Sequence, residues 1–238
     1  MNKSKIILGV VTPGQSPRED ILKEMRPYWP PDILIRQSGG LDGLTRKEIL
    51  KWEYAPSDSL IVTRLSDGSS ICSAEKHLIT RMQQCIDKLQ AEGAAVILVL
   101  CTGIEQSSFT STVPLLIPKN IVHDFIPLLL DHRKLTVIVP APEQIRPAIR
   151  AWKKRKIEAM VHYAPPYSPS EELTRSVAEI KKNGSDMVLM DCMGYDRSIK
   201  RYVSLETGKI VLLARTLVAR VAGELLDGKN EKRLNRLH

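Results

Sequence analysis

Two cysteines in this chain stand where chemistry is easiest to arrange. "GAAVILVLCTG" runs from Gly93 to Gly103, and "GSDMVLMDCMG" runs from Gly184 to Gly194. Each segment is a glycine, seven residues, a cysteine, one residue and a second glycine. The apolar runs read as buried strands, so Cys101 and Cys192 fall where a strand ends and a turn leads on. In parallel α/β sheets, ligands bind at the carboxyl ends of strands. Backbone N–H groups and helix N-termini there favour negative charge and make a thiol more acidic. A free thiol titrates near about 8.5, so modest help leaves one sulfur charged and another protonated near neutrality. If two such halves face each other, the sulfurs flank one small cleft. One then acts as base on one face of a carbon and the other as acid on the opposite face, which inverts the centre. Carbanion chemistry beside a carboxylate also needs electrostatic help, which convergent N–H donors supply.

The other candidates for chemistry are thinner. Cys72 and Cys85 complete a set of four cysteines with no C-x-x-C pair, and the five histidines show no H-E-x-x-H spacing. Neither a metal site nor a disulfide framework is expected, and the thiol chemistry calls for no cofactor. Cys72 in a hairpin and Cys85 in an amphipathic helix read as structural. Asp191 precedes Cys192 and alternates to the opposite side of the strand, which suits a structural hydrogen-bonder. His123 in a helix and His162 on a strand read as packing or surface residues. Tyr195 is placed to line the cleft, and Arg18 reads as a solvated helix residue.

These residues need a frame that holds strand ends in line. The chain alternates apolar, β-branched runs with amphipathic stretches, which implies βαβ units and largely parallel sheets flanked by helices. "GVVTPGQSPR" from Gly9 is echoed by "TVIVPAPEQIRP" from Thr136, a strand and then a proline-led turn. The fold class is therefore α/β with two pseudo-symmetric halves, 1–133 and 134–238, and an active-site cleft between them. The span from Pro13 to Cys101 exceeds that from Pro140 to Cys192, and a hairpin insertion around 39–73, turning at Asp67-Gly68, accounts for the excess. Ser16 with Pro17, and Ser168 with Pro169, read as helix starts. Pro147 is expected to kink or shorten its helix. The final helix, "RTLVARVAGELLDG", is placed to pack back across the halves, and the basic tail "GKNEKRLNRLH" to fray in solvent.

Composition bounds the rest. Hydrophobic residues make up 43% and charged residues 26%, which suits a soluble protein with a substantial core. No apolar run approaches the roughly 20 residues that span a bilayer. The opening "MNKSKIILGVVTPG" lacks a cleavage site and stops at Thr12-Pro13-Gly14, so a cytoplasmic protein is expected. The net charge of +8 is concentrated in "RAWKKRK" and the tail, and aromatics are only 5%, too few for a base-stacking surface. The expected partner is a small carboxylate-bearing molecule, with no nucleic acid and no membrane. Apolar helices at the half ends permit a homodimer.

The paired cysteines, with "CTG" in the first half, resemble the aspartate/glutamate racemase superfamily. "EYAP" after "LTRKEIL", "VIVPAPEQ" and "VLMDCMGY" make the chain most similar to its AroM family, over almost the full length. The resemblance implies a cofactor-independent racemase or epimerase, or a related isomerase or decarboxylase, with Cys101 and Cys192 as the acid/base pair. It places Thr12 and Gln15 on a loop that contacts substrate carboxylate. Thr102, Gly103, Met193 and Gly194 match turns whose backbone donors hold that carboxylate. Many amino-acid racemases carry Asn where Gly103 stands and a polar residue where Met193 stands, so a different acid or a non-amino substrate is expected. The alternative is a binding or regulatory AroM protein that kept the cleft without turnover.

Overall fold

The computed structural model describes residues 5–167 and 170–234, with side chains described up to Asp227. The first strand, β1 (Ile7–Thr12), is buried on both faces and stops at Pro13, which has no N–H to continue a ladder. It leads through α1 (Glu19–Met25) to β2 (Leu34–Gly39) and the short α2 (Arg46–Ile49). The insertion follows as β3 (Leu60–Arg64) and β4 (Ser70–Ala74), an antiparallel hairpin with Gly68 at φ +85° in its turn. Next come α3 (Glu75–Ala91), β5 (Val96–Val99) and β6 (Leu115–Leu116). The second series is α4 (Pro118–Leu130), β7 (Leu135–Val139), α5 (Ile145–Lys154), β8 (Met160–Tyr163) and α6 (Glu171–Lys182). It ends with β9 (Met187–Met190), α7 (Arg197–Thr207), β10 (Ile210–Leu213) and α8 (Ala214–Leu234).

Two four-stranded parallel sheets result, ordered β2-β1-β5-β6 and β8-β7-β9-β10. The order is the same in both, so the repeat seen in the cysteine segments extends to topology. Register carries it further: Val11 pairs Val99 as Ile138 pairs Met190. Helix α3 presents Leu78, Met82, Cys85, Ile86 and Leu89 to the first sheet as one apolar face. Each such fully buried side chain contributes about 1.5–3 kcal/mol. Burial pushes the Cys85 thiol up, and Cys85 belongs to this core, as its helical position implied. Among the described residues, no helix is long and apolar enough to cross a membrane.

The division into units differs from the sequence expectation. One compact unit runs up to Lys119 and resumes at Val218, and the other is Asn120–Leu217. The boundary expected after residue 133 falls earlier because α4 bonds into the second unit. His123 meets Asp191 at 2.7 Å, and Arg155 reaches Asp124 at 2.9 Å. The final helix joins the first unit from Val218 onward. There the Trp29 indole N–H donates to the Ala219 carbonyl at 3.0 Å, and a Cβ on Gly223 would lie 2.3 Å from the Tyr28 carbonyl oxygen.

Several local expectations also shift. Ser16 does not cap α1, because its N–H and hydroxyl both bond the Asp42 carboxylate at 2.7 Å, and the helix begins at Glu19. Ser168 and Pro169 lie outside the described residues, and α6 is capped by Ser170, whose hydroxyl accepts from Leu173 N–H. Pro147 sits in the first turn of α5, where its missing N–H has no intrahelical partner to lose. The tail expected to fray continues α8 as helix to Leu234.

Candidate active site

Each cysteine is placed by one last ladder bond. Leu100 N–H donates to the Val11 carbonyl at 2.7 Å, and Asp191 N–H donates to the Ile138 carbonyl at 2.9 Å. Those residues are equivalent in the two sheets, so Cys101 and Cys192 leave their strands at the same point. Both turns then bring a glycine N–H back to the sulfur. Gly103 N–H donates to Cys101 Sγ at 3.3 Å, and Gly194 N–H donates to Cys192 Sγ at 3.3 Å. A backbone N–H aimed at sulfur favours its charged form. Cys101 is buried and Cys192 half-buried.

The glycines are required by what lies against them. A Cβ on Gly103 would sit 2.7 Å from Ile61 Cδ1, so the hairpin insertion packs directly on the Cys101 turn. A Cβ on Gly194 would meet Pro166 and the Tyr167 ring at 3.0 Å. Thr102 and Met193, between cysteine and glycine, are both buried, Met193 to 2% exposure. The Met193 side chain is thus part of the packing of its unit.

The loop after β1 is committed to the protein itself. Gln15 Nε2 donates to the carbonyls of Leu41 and Leu44 at 3.2 and 2.7 Å, and its Oε1 accepts from Ser66 N–H and Oγ–H at 2.8 and 2.9 Å. Gln15 is therefore a clasp between the loop and the hairpin. Thr12 Oγ1 accepts from Gly14 N–H at 3.3 Å and Arg18 Nη1 at 3.4 Å. Arg18, expected in solvent, is 3% exposed and grips Asp20 with two 2.9 Å bonds. Burial opposes ionisation of Asp20, but Arg18 and Arg64 outweigh it and hold the carboxyl below its usual range.

The second unit carries charged groups that sequence reasoning missed. Arg215 at the start of α8 is 2% exposed, and donates through Nε to the Met193 carbonyl and through Nη2 to the Gly194 carbonyl, each at 2.9 Å. Asp191 is a structural hydrogen-bonder, as strand alternation indicated, and its partner is the buried imidazole of His123. His123 lies against Trp152 with ring centroids 4.7 Å apart, so the packing role read for it stands with a polar bond added. His162 pairs Glu179 at 3.0 Å. Tyr195 is fully buried within the second unit, and its hydroxyl donates to the Ala164 carbonyl at 2.7 Å. Burial first, and the neighbouring Cys192 and Asp191, push its hydroxyl well above the usual tyrosine value.

Register exposes a repeat longer than the cysteine motif. Leu98 pairs Leu116 as Leu189 pairs Leu212, and three residues on stand Lys119 and Arg215. Four residues after each cysteine stand Glu105 and Asp196. Lys119 Nζ meets Glu105 Oε1 at 2.6 Å in the first unit, whereas Arg215 clamps the turn itself in the second. An acid at that fixed offset was visible in the sequence, but the cation became visible only through strand pairing.

The described surface also carries hollows that no cysteine lines. One, of about 330 Å³, is lined by Asp58, Glu75 and Lys76, and another, of about 590 Å³, by Arg197, Lys200 and Arg201. Neither includes a cysteine; the first surrounds the Lys76–Asp58 ion pair and the second is a solvated helix face. Among the described residues, no three His, Cys, Asp or Glu side chains gather as metal ligands.

Comparison with known proteins agrees with this architecture. Glutamate racemase from Francisella tularensis, solved with D-glutamate, is 12% identical with a TM-score of 0.61, over 95% of this chain and 82% of that one. Maleate isomerase from Pseudomonas putida is 12% identical with a TM-score of 0.60, over 94% of both chains. Arylmalonate decarboxylase is 13% identical with a TM-score of 0.55, over 91% of this chain and 92% of that one. At such identity the likeness is one of fold alone, an α/β fold with parallel sheets flanked by helices. No curated protein sequence matches the chain. The family model described as AroM protein matches residues 8–226, and the chain belongs to the AroM family.

Proposed function

We propose that the protein is a cofactor-independent racemase or isomerase acting on a small carboxylate-bearing substrate, with Cys101 and Cys192 as its acid/base pair. The observation that carries the reading is the matched pair of thiols at equivalent strand ends, each receiving a glycine N–H at 3.3 Å. In the first half-reaction one thiolate removes the proton on the carbon next to the carboxylate, and the electron pair delocalises into that carboxylate. The second thiol returns a proton to the opposite face, leaving a thiol where the thiolate was and a thiolate where the thiol was. Backbone donors of the Thr102–Gly103 and Met193–Gly194 turns hold the carboxylate in this reading. Thr12, at the end of β1, offers its hydroxyl to that carboxylate in this reading, and Gln15 clasps the loop that follows to the hairpin. The packed Met193 side chain leaves no polar group at that position for a substrate amino group, which favours 2-substituted acids without one.

The test is hydrogen exchange in deuterated water, read by NMR, on both enantiomers of aspartate, glutamate and 2-aryl propionates. Exchange in one of these is expected, and Cys101→Ser and Cys192→Ser should each reduce it at least 100-fold, the lower range for removing one general acid or base. Full turnover in both variants refutes the two-thiol mechanism. Thermal stabilisation by one of these acids with no exchange supports the alternative, a carboxylate-binding protein without turnover.

A further inference from the structure

The two cysteine turns share a glycine N–H on sulfur and differ in what holds them. In the first unit the cation at the start of the following helix, Lys119, is spent on Glu105 at 2.6 Å. In the second, Arg215 is buried and spans two successive carbonyls of the turn. Nε takes Met193 O and Nη2 takes Gly194 O, each at 2.9 Å. In a trans peptide the C=O and N–H point in opposite directions. Fixing the Met193 carbonyl on the arginine side therefore fixes the Gly194 N–H on the other side, where it meets Cys192 Sγ at 3.3 Å. The next peptide repeats the pattern, with its carbonyl on Nη2 and the Tyr195 N–H on the Cys192 carbonyl at 3.4 Å. A planar guanidinium holds the two carbonyls in one fixed geometry, whereas an ammonium offers three donors on a flexible stem and fixes neither direction as firmly.

We propose that Arg215 is a positioning residue for Cys192, acting through the Met193–Gly194 peptide to keep an amide aimed at the sulfur. This deepens the acid/base reading of Cys192 and rests on it for meaning, but its readout does not need turnover. The other charged or titratable groups around this turn are Asp191 with its partner His123, the fully buried Tyr195, Tyr167 over Gly194, and Asp196 beside Arg215. None of them is altered in the test variants. The inference also makes the two thiols inequivalent: the Cys192 turn is clamped by a buried guanidinium, and the Cys101 turn is covered by Ile61 of the hairpin.

The experiment is alkylation of the full chain with iodoacetamide across pH 6 to 10, each cysteine being followed by peptide mass spectrometry. The variants are Arg215→Lys, which imitates Lys119 of the first unit, and Arg215→Met. The midpoint of Cys192 alkylation should move up by about one pH unit in both, a roughly tenfold drop in rate at pH 7. That of Cys101 should stay within about 0.3 unit, since the lost donor belongs to the Cys192 turn alone. The plateau rate at high pH reports access and the midpoint reports charge, so loosening of the turn is separated from loss of the amide. If Arg215→Met fails to fold, Arg215→Lys decides. An unmoved Cys192 midpoint in folded Arg215→Lys overturns the proposal, and so does an equal shift at both cysteines. A chain that alkylates as expected yet exchanges no substrate hydrogen would instead count against the proposed function alone.

Discussion

Asp191 and His123 form a buried pair whose worth can be worked out by borrowing from the repeat. Their contact is 2.7 Å long, with side chains 8% and 5% exposed, and the position equivalent to Asp191 in the first unit is the buried Leu100. Nature's own apolar solution for that strand position is therefore leucine. Asp191→Leu removes the acceptor and leaves His123 Nε2 buried without a partner. His123 Nδ1 already has none among the described residues, so the ring would be wholly unsatisfied. Losing such a bond and stranding the donor costs about 2–3 kcal/mol. For a chain of this size that is roughly 4–12 °C in Tm. His123→Phe keeps an aromatic against Trp152 but strands a carboxylate, which costs about 3–5 kcal/mol. The double variant removes both polar groups and should be more stable than the sum of the singles by about 2 kcal/mol or more. Urea unfolding followed by circular dichroism on the four proteins measures this coupling. Additivity within about 0.5 kcal/mol would show that the two groups do not depend on each other, and the account of the pair would fail.

Asp20 gives a prediction in pH. Its folded value lies below the ordinary 3.8, so its contribution is complete above that value and is lost as pH falls through the folded one. Asp20→Asn should therefore be less stable than the parent at pH 6, with the two curves converging below about pH 4; a constant gap down to pH 2 would refute the assignment. Gln15→Leu removes the clasp on the hairpin and should cost about 1–3 kcal/mol, with faster hydrogen exchange at the Ser66 amide that it now protects. Unchanged protection of that amide would show that the hairpin is held by other means.

Much of the fold was legible because its strands are buried on both faces. "VILV" of β5 and "MVLM" of β9 read as continuous apolar runs, and the glycine–cysteine spacing revealed that they were equivalent. Asp67-Gly68 announced the hairpin because its turn needs a positive φ. The unit boundary was not legible, since an apolar helix such as α4 carries no mark of which sheet it will cover. Buried cations were hidden for a related reason. Arginine is ordinarily a surface residue, and what buries Arg18 and Arg215 is a carboxylate in one case and two backbone carbonyls in the other. No local pattern announces a partnership between a helix start and a turn some 20 residues earlier. The equivalent placement of the two cysteines was legible because their spacing repeats, whereas the bonds of Gln15 to Leu41, Leu44 and Ser66 were not, because a polar loop residue looks the same whether it faces a ligand or the chain.

The return of α8 to the first unit has a consequence for how the chain comes together during synthesis. Trp29 waits for the Ala219 carbonyl across 190 residues, and Arg220 stacks its guanidinium 4.5 Å over the Tyr28 ring. The second unit is one continuous stretch and can close as soon as Leu217 has been made. The first unit begins earlier and finishes last, because its final layer is the C-terminal helix. Closing a loop of that length costs roughly 5 kcal/mol in chain entropy if the intervening residues are still unfolded, and less once the second unit has condensed and shortened the path. Vectorial synthesis thus favours an order in which the later-encoded unit folds first and hands its last helix back to the earlier one.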